Sequence, residues 1–132
     1  MGVRLLSAFL VIFTIPCFIR GEKETPKQVF LGGSCDPTTW RKDTVIPQLE
    51  SKRITYFNPQ VDCEWHDGLI QIEEDQKATA ELLFFFIDTQ TRAIASLVEV
   101  AFLAGADRKL IPAIKDIPGS NAKIGNDVLS AK

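Results

Sequence analysis

Six consecutive apolar residues, Leu82-Leu83-Phe84-Phe85-Phe86-Ile87, run without a polar interruption into Asp88. The run is too short for a buried helix, and its aromatic residues favour a strand. A strand that is apolar at every position has no face to give to water. It belongs in a sheet covered on both sides, which is the situation of parallel sheets. Three further runs fit as its neighbours. Gln28-Val29-Phe30-Leu31 leads into Gly32-Gly33, and Ile54-Thr55-Tyr56-Phe57 stops at Asn58-Pro59. Lys109-Leu110-Ile111-Pro112-Ala113-Ile114 contains a proline, which cannot donate to a ladder and marks a short or edge strand. Helical patterns separate them. Thr39 to Leu49 carries Trp40, Val45, Ile46 and Leu49 at helical spacing. Leu69 to Ala80 is polar, with Leu69, Ile70 and Ile72 on one side. Thr91 to Gly105 is the most helical stretch, with Gly105 as its C-terminal stop. Strands alternating with helices across short loops predict an α/β domain built on a doubly wound parallel sheet with right-handed crossovers.

The 132 residues suffice for one domain and not for two. A net charge of −2 carries no footprint for nucleic acid, so none is expected as a partner. The first 21 residues differ from the rest. Arg4 precedes an uncharged, largely apolar stretch from Leu5 to Ile19, which ends at Arg20-Gly21-Glu22-Lys23. This fits the hydrophobic region of a secretory signal better than a membrane span of about 20 residues. A cleaved signal, an uncleaved anchor and a core element of the domain all stay open. The domain itself is expected over residues 22–132, in a protein that is secreted or held at a membrane through residues 1–21 alone. Loss of the leader would remove Cys17 and leave Cys35 and Cys63, an even pair that permits one disulfide in an oxidising compartment. The stretch from Asp116 to Lys132 is polar and has no clear periodicity.

In open α/β sheets, ligands bind beyond the carboxyl ends of the strands. Those ends are Gly32 to Thr39, Asn58-Pro59-Gln60 and Asp88 to Thr91, all polar and rich in turn formers. The Gly32-Gly33-Ser34 turn would let backbone amides approach a ligand, although a plain tight turn explains it equally well. Neither Gly-Lys-Ser/Thr nor a dinucleotide fingerprint follows it. His66, the only histidine, has no Cys or His neighbour at ligand spacing, so no metal and no cofactor is expected. Ser34 and His66 lack the context of a nucleophilic triad. Any catalysis therefore rests on carboxylates. Glu73-Glu74-Asp75 lies on the second helix, where a solvated face is the bland reading for two of the three. Glu99 is the only charged residue between Arg92 and Asp107. A helix apolar all round is expected to be buried, and an ionised carboxylate is costly to bury. Glu99 is thus either an acid reaching solvent from a helix turn or a working group.

Three stretches carry a resemblance. They are Val29-Phe30-Leu31-Gly32-Gly33-Ser34-Cys35-Asp36-Pro37-Thr38-Thr39-Trp40-Arg41-Lys42-Asp43, Ile54-Thr55-Tyr56-Phe57-Asn58-Pro59-Gln60, and Leu83-Phe84-Phe85-Phe86-Ile87-Asp88 with Thr91-Arg92 and Glu99. Together they resemble the nucleoside 2-deoxyribosyltransferase-like family, most closely its animal branch, which includes the Raw-type proteins. The resemblance covers residues 28–131 and implies a small flavodoxin-like domain. It also implies a nucleoside or nucleobase ligand and, as a partner, a second copy of the chain.

By that resemblance, Glu99 matches the nucleophile that attacks the anomeric carbon of a deoxynucleoside. Glu73 matches the acid that handles the departing base. The implied reaction is a double displacement through a deoxyribosyl ester, with Gly32, Gly33, Ser34, Asn58 and Asp88 lining the substrate. A carboxylate nucleophile with a second acid for the leaving group suits an oxocarbenium-like transition state. Three features depart from the pattern. Phe30 stands where the transferases carry a tyrosine that bonds the nucleophile. Arg92 or Ala93 replaces an acid that contacts the sugar, and the chain ends where relatives continue. The alternative is a protein without catalysis that binds a nucleoside-like ligand or a protein.

Overall fold

The computed structural model describes residues 25–60, 67–116, 123–124 and 127–128. Residues 1–21, Cys63 and His66 lie outside them, and with them the expected signal or anchor and the expected Cys35–Cys63 pairing. Cys35 is exposed and has no disulfide partner among the described residues. No helix among the described residues is long and apolar enough to cross a membrane.

Four parallel strands form the sheet: β1 (Val29–Gly33), β2 (Tyr56–Phe57), β3 (Leu82–Ile87) and β4 (Leu110–Ile114). Their order is β2-β1-β3-β4, the flavodoxin-like order, with β3 paired to both β1 and β4. The apolar run that demanded a covered strand is therefore internal. The strand containing Pro112 lies at an edge. Between the strands come α1 (Ile46–Ser51), preceded by a π-helical turn over Arg41–Val45, then α2 (Asp67–Thr79) and α3 (Ile94–Ala104).

Side chains alternate across the sheet as the pleat requires. Val29 and Leu31 pack with Trp40 and with partly buried Leu82, Phe84 and Phe86 on the face covered by α1. Phe30, Leu83 and Phe85 pack with Ala80 and Leu103 on the face covered by α2 and α3. Phe30, Leu31, Leu83 and Phe85 are fully buried, each contributing roughly 1.5–3 kcal/mol of apolar burial. Helices on both faces make this a single small doubly wound α/β domain.

Three expectations need correction. The second strand is shorter than Ile54–Phe57, because only Tyr56 and Phe57 reach a register with β1. The stretch after β4 is not wholly without structure: β5 (Lys123–Ile124) and β6 (Asp127–Val128) pair antiparallel. The third correction concerns α3, which is not buried on every face. Ser96, Glu99, Val100 and Leu103 form its inner stripe, and only Leu103 is fully covered. Ile94, Val98 and Phe102 on the outer side are 62%, 65% and 74% exposed. A single layer of helix on a four-stranded sheet has no second layer to cover that side.

Candidate active site

The carboxyl ends of β1 and β3 meet at the point where the strand order reverses, and buried polar contacts bind them there. The Ser34 amide donates to the Phe86 carbonyl at 2.8 Å. The Ser34 hydroxyl accepts from the Asp88 amide at 2.9 Å and from the Thr91 hydroxyl at 2.8 Å. Gly33 has φ +106°, and a Cβ there would lie 2.1 Å from the Phe86 carbonyl oxygen. A Cβ on Gly32 would enter the ring of Phe85. Both glycines are thus demanded by the approach of β3, and the Ser34 amide and hydroxyl are spent on the same junction.

Arg41 reinforces it from the α1 side. It is 2% exposed, and its guanidinium donates to the carbonyls of Leu31 at 3.1 Å, Ser34 at 2.8 Å and Gly33 at 3.3 Å. The Trp40 indole and the Thr38 hydroxyl also donate to Ser34's carbonyl. Burial lowers the Arg41 guanidinium from its ordinary value, while Cys35 and then Glu73 work in the opposite direction. Arg41 went unassigned in the sequence. One signal was present: it sits four residues before Val45 and eight before Leu49, on the buried stripe.

Asp88 is 5% exposed and accepts from the Gln90 amide at 2.9 Å and from Lys115 Nζ at 3.3 Å. Burial pushes its carboxyl up. The Gln90 amide, Lys115 and the Gln90 side chain together outweigh that and hold it below the usual value. Beside the junction, between the ends of β1 and β2, opens a cleft of about 430 Å³. Asp36, Thr39, Lys42, Asn58 and Gln60 are among its lining residues. Gln60 is held at its rim, accepting from Arg41 at 3.4 Å and donating to Asp36 at 2.7 Å. Of the five expected substrate contacts, Asn58 lines this cleft, whereas Gly32, Gly33, Ser34 and Asp88 belong to the neighbouring junction.

The two expected catalytic acids come together through a residue that sequence reasoning missed. α2 turns Leu69, Ile72, Glu73, Gln76 and Lys77 toward the sheet, a helical stripe with three polar members in five. Lys77 is 7% exposed, and its ammonium pairs with Glu99 on α3, with Glu74 at 2.9 Å and with Glu73 at 3.5 Å. It also stands 5.5 Å from the centroid of the Phe30 ring. Burial lowers the Lys77 ammonium, and the three carboxylates more than reverse that, leaving it above its ordinary value.

Glu99 is thus a paired carboxylate on an inner stripe, with 31% of its side chain exposed, and not a lone charge in an apolar environment. Glu73 and Glu74 both face Lys77, whereas Asp75 accepts from Gln71 on the exposed side. Tyr56 does not substitute at Glu99 for a tyrosine on β1. Its hydroxyl donates to Glu50 at 2.9 Å, which raises it from its ordinary value. The hint of Lys77 in the sequence was its spacing of four from Glu73. An exposed ion pair on a helix shows the same spacing.

Fold and site define a flavodoxin-like α/β domain with paired carboxylates on the helices covering one sheet face and a polar cleft at the strand ends. The family model described as nucleoside 2-deoxyribosyltransferase like matches residues 26–117, more than half of the chain. The chain belongs to that family. No curated protein and no solved structure matches it.

Proposed function

We propose that the protein breaks the N-glycosidic bond of a 2′-deoxynucleoside, transferring the sugar to another base or to water. Glu99 attacks the anomeric carbon and Glu73 protonates the departing base. The observation that carries this reading is the convergence of Glu73 and Glu99, from different helices, on the single ammonium of Lys77. Sharing one nitrogen keeps the carboxylates close, as in retaining glycosidases, where a nucleophile–acid pair stands roughly 5–5.5 Å apart. Glu99 keeps enough exposure to meet a substrate. The cleft holding Asn58 and Gln60 offers donors and acceptors suited to a base or sugar edge. The motifs around Cys35, Asn58 and Asp88 support a reading of the protein as a member of the family's animal branch. The apolar stretch from Leu5 to Ile19 routes it to secretion or to a membrane anchor.

A second reading has its own support. The cleft is lined without Glu99 or Glu73, and Phe30 offers Glu99 no hydroxyl. A protein that binds a nucleoside there without cleaving it fits those facts. One experiment separates the two. The unaltered protein is incubated with each 2′-deoxynucleoside, with and without an acceptor base, and free base is measured by chromatography. Release that falls at least about 1000-fold in Glu99→Gln supports catalysis. Binding seen by calorimetry without any release over long incubation supports the binding protein.

A further inference from the structure

The three polar residues on the inner stripe of α2 call for an explanation, because an apolar side chain of Lys77's length would cover Phe30 at lower cost. The charges around Lys77 supply one. Glu73 and Glu74 face it from α2 and Glu99 from α3, while β1 contributes only the uncharged ring of Phe30. Glu73 is also within electrostatic reach of Arg41. Glu74 is the most exposed of the three acids, at 62%, and water screens it. The remaining group is one ammonium between the two carboxylates assigned to the reaction.

We propose that Lys77 is a positioning residue whose single positive charge is shared in turn by nucleophile and acid. The inference rests on the reaction assigned above. In the first displacement Glu99 serves as a carboxylate and Glu73 as the acid, and Lys77 stands beside both. A Glu99 oxygen then donates an electron pair to the anomeric carbon and forms the ester. The carbon–nitrogen bond breaks, its electron pair leaves with the base, and the Glu73 proton goes to that base. Glu99 is now uncharged and Glu73 is an anion. The negative charge has moved from one partner of Lys77 to another already 3.5 Å from its nitrogen. Net charge within this partly exposed group is the same before and after the step. Hydrolysis or transfer in the second displacement returns the charge to Glu99.

The test compares Lys77→Met, Lys77→Arg and the unaltered protein, each shown to be folded by circular dichroism and a cooperative melt. Base release in Lys77→Met is expected to fall in kcat by about 100-fold with KM nearly constant. Lys77→Arg, which retains the charge, is expected to restore kcat to within about tenfold.

A folded Lys77→Met with kcat and KM equal to the unaltered protein's overturns the proposal, as does a Lys77→Arg no more active than Lys77→Met. Should Lys77→Met fail to fold, Lys77→Gln takes its place under the same criteria. Absence of base release from the unaltered protein overturns the assigned reaction instead. This role for Lys77 falls with the reaction in that case.

Discussion

Lys77 is the residue on which the energetics of the acid pair turn. Removing one member of a buried ion pair leaves the other without compensation, whereas removing both costs little. Glu99 and Glu73 are partly exposed, which reduces the penalty below that of a fully buried pair. Lys77→Met is therefore expected to destabilise the fold by about 1–2 kcal/mol in urea denaturation. Adding Glu99→Gln is expected to recover at least half of that loss. Additive losses would mean that the two side chains do not share an interaction. The sequence showed Glu99 as anomalous, and correctly so, because a carboxylate on an inner stripe has to be compensated. It did not show the compensating group. The partner lies 22 positions away on another helix, and the local pattern at Lys77 resembles any solvated Glu–Lys pair.

The elements show the same division between what is local and what is not. β3 was legible residue for residue, since a strand buried on both faces leaves an uninterrupted apolar run between Glu81 and Asp88. Pro112 marked the edge strand because the missing donor forbids a central one. The exposure of α3 was hidden, because apolarity reports a preference for burial and not the presence of a covering layer. The glycine turn was visible, but its cause was not. Gly33→Ala forces a Cβ toward the Phe86 carbonyl at positive φ, and is expected to cost about 3 kcal/mol or more in a thermal melt. The opposite change is expected to help at the start of α3. Ala93 caps that helix at φ +46° without a side-chain hydrogen bond. Ala93→Gly relieves the left-handed strain and is expected to add about 1 kcal/mol. A destabilised Ala93→Gly would show that the left-handed conformation costs little there.

Across the whole molecule, two ionic clusters fasten different parts of the sheet, and they respond to opposite ends of the pH scale. Asp88 and Lys115 join the ends of β3 and β4, and Lys77 joins α2 to α3. The Asp88 carboxyl is held below its ordinary 3.8, so its contribution is complete above that value and is lost as pH falls through the lower folded value. The Lys77 ammonium is held above its ordinary 10.5, so its contribution is complete below that value and is lost as pH rises through the higher folded one. As far as these two groups decide it, stability is level between the two ordinary values and falls outside them. Melting temperatures from pH 2 to 12 test this, with Asp88→Asn expected to flatten the acid limb and Lys77→Met the alkaline one. The limbs also differ in their response to salt. Lys115 is half exposed, and the Gln90 amide is the leading force lowering Asp88, so 1 M salt is expected to leave most of the acid limb in place. An acid limb abolished by salt would assign the stabilisation to Lys115 in place of the Gln90 turn.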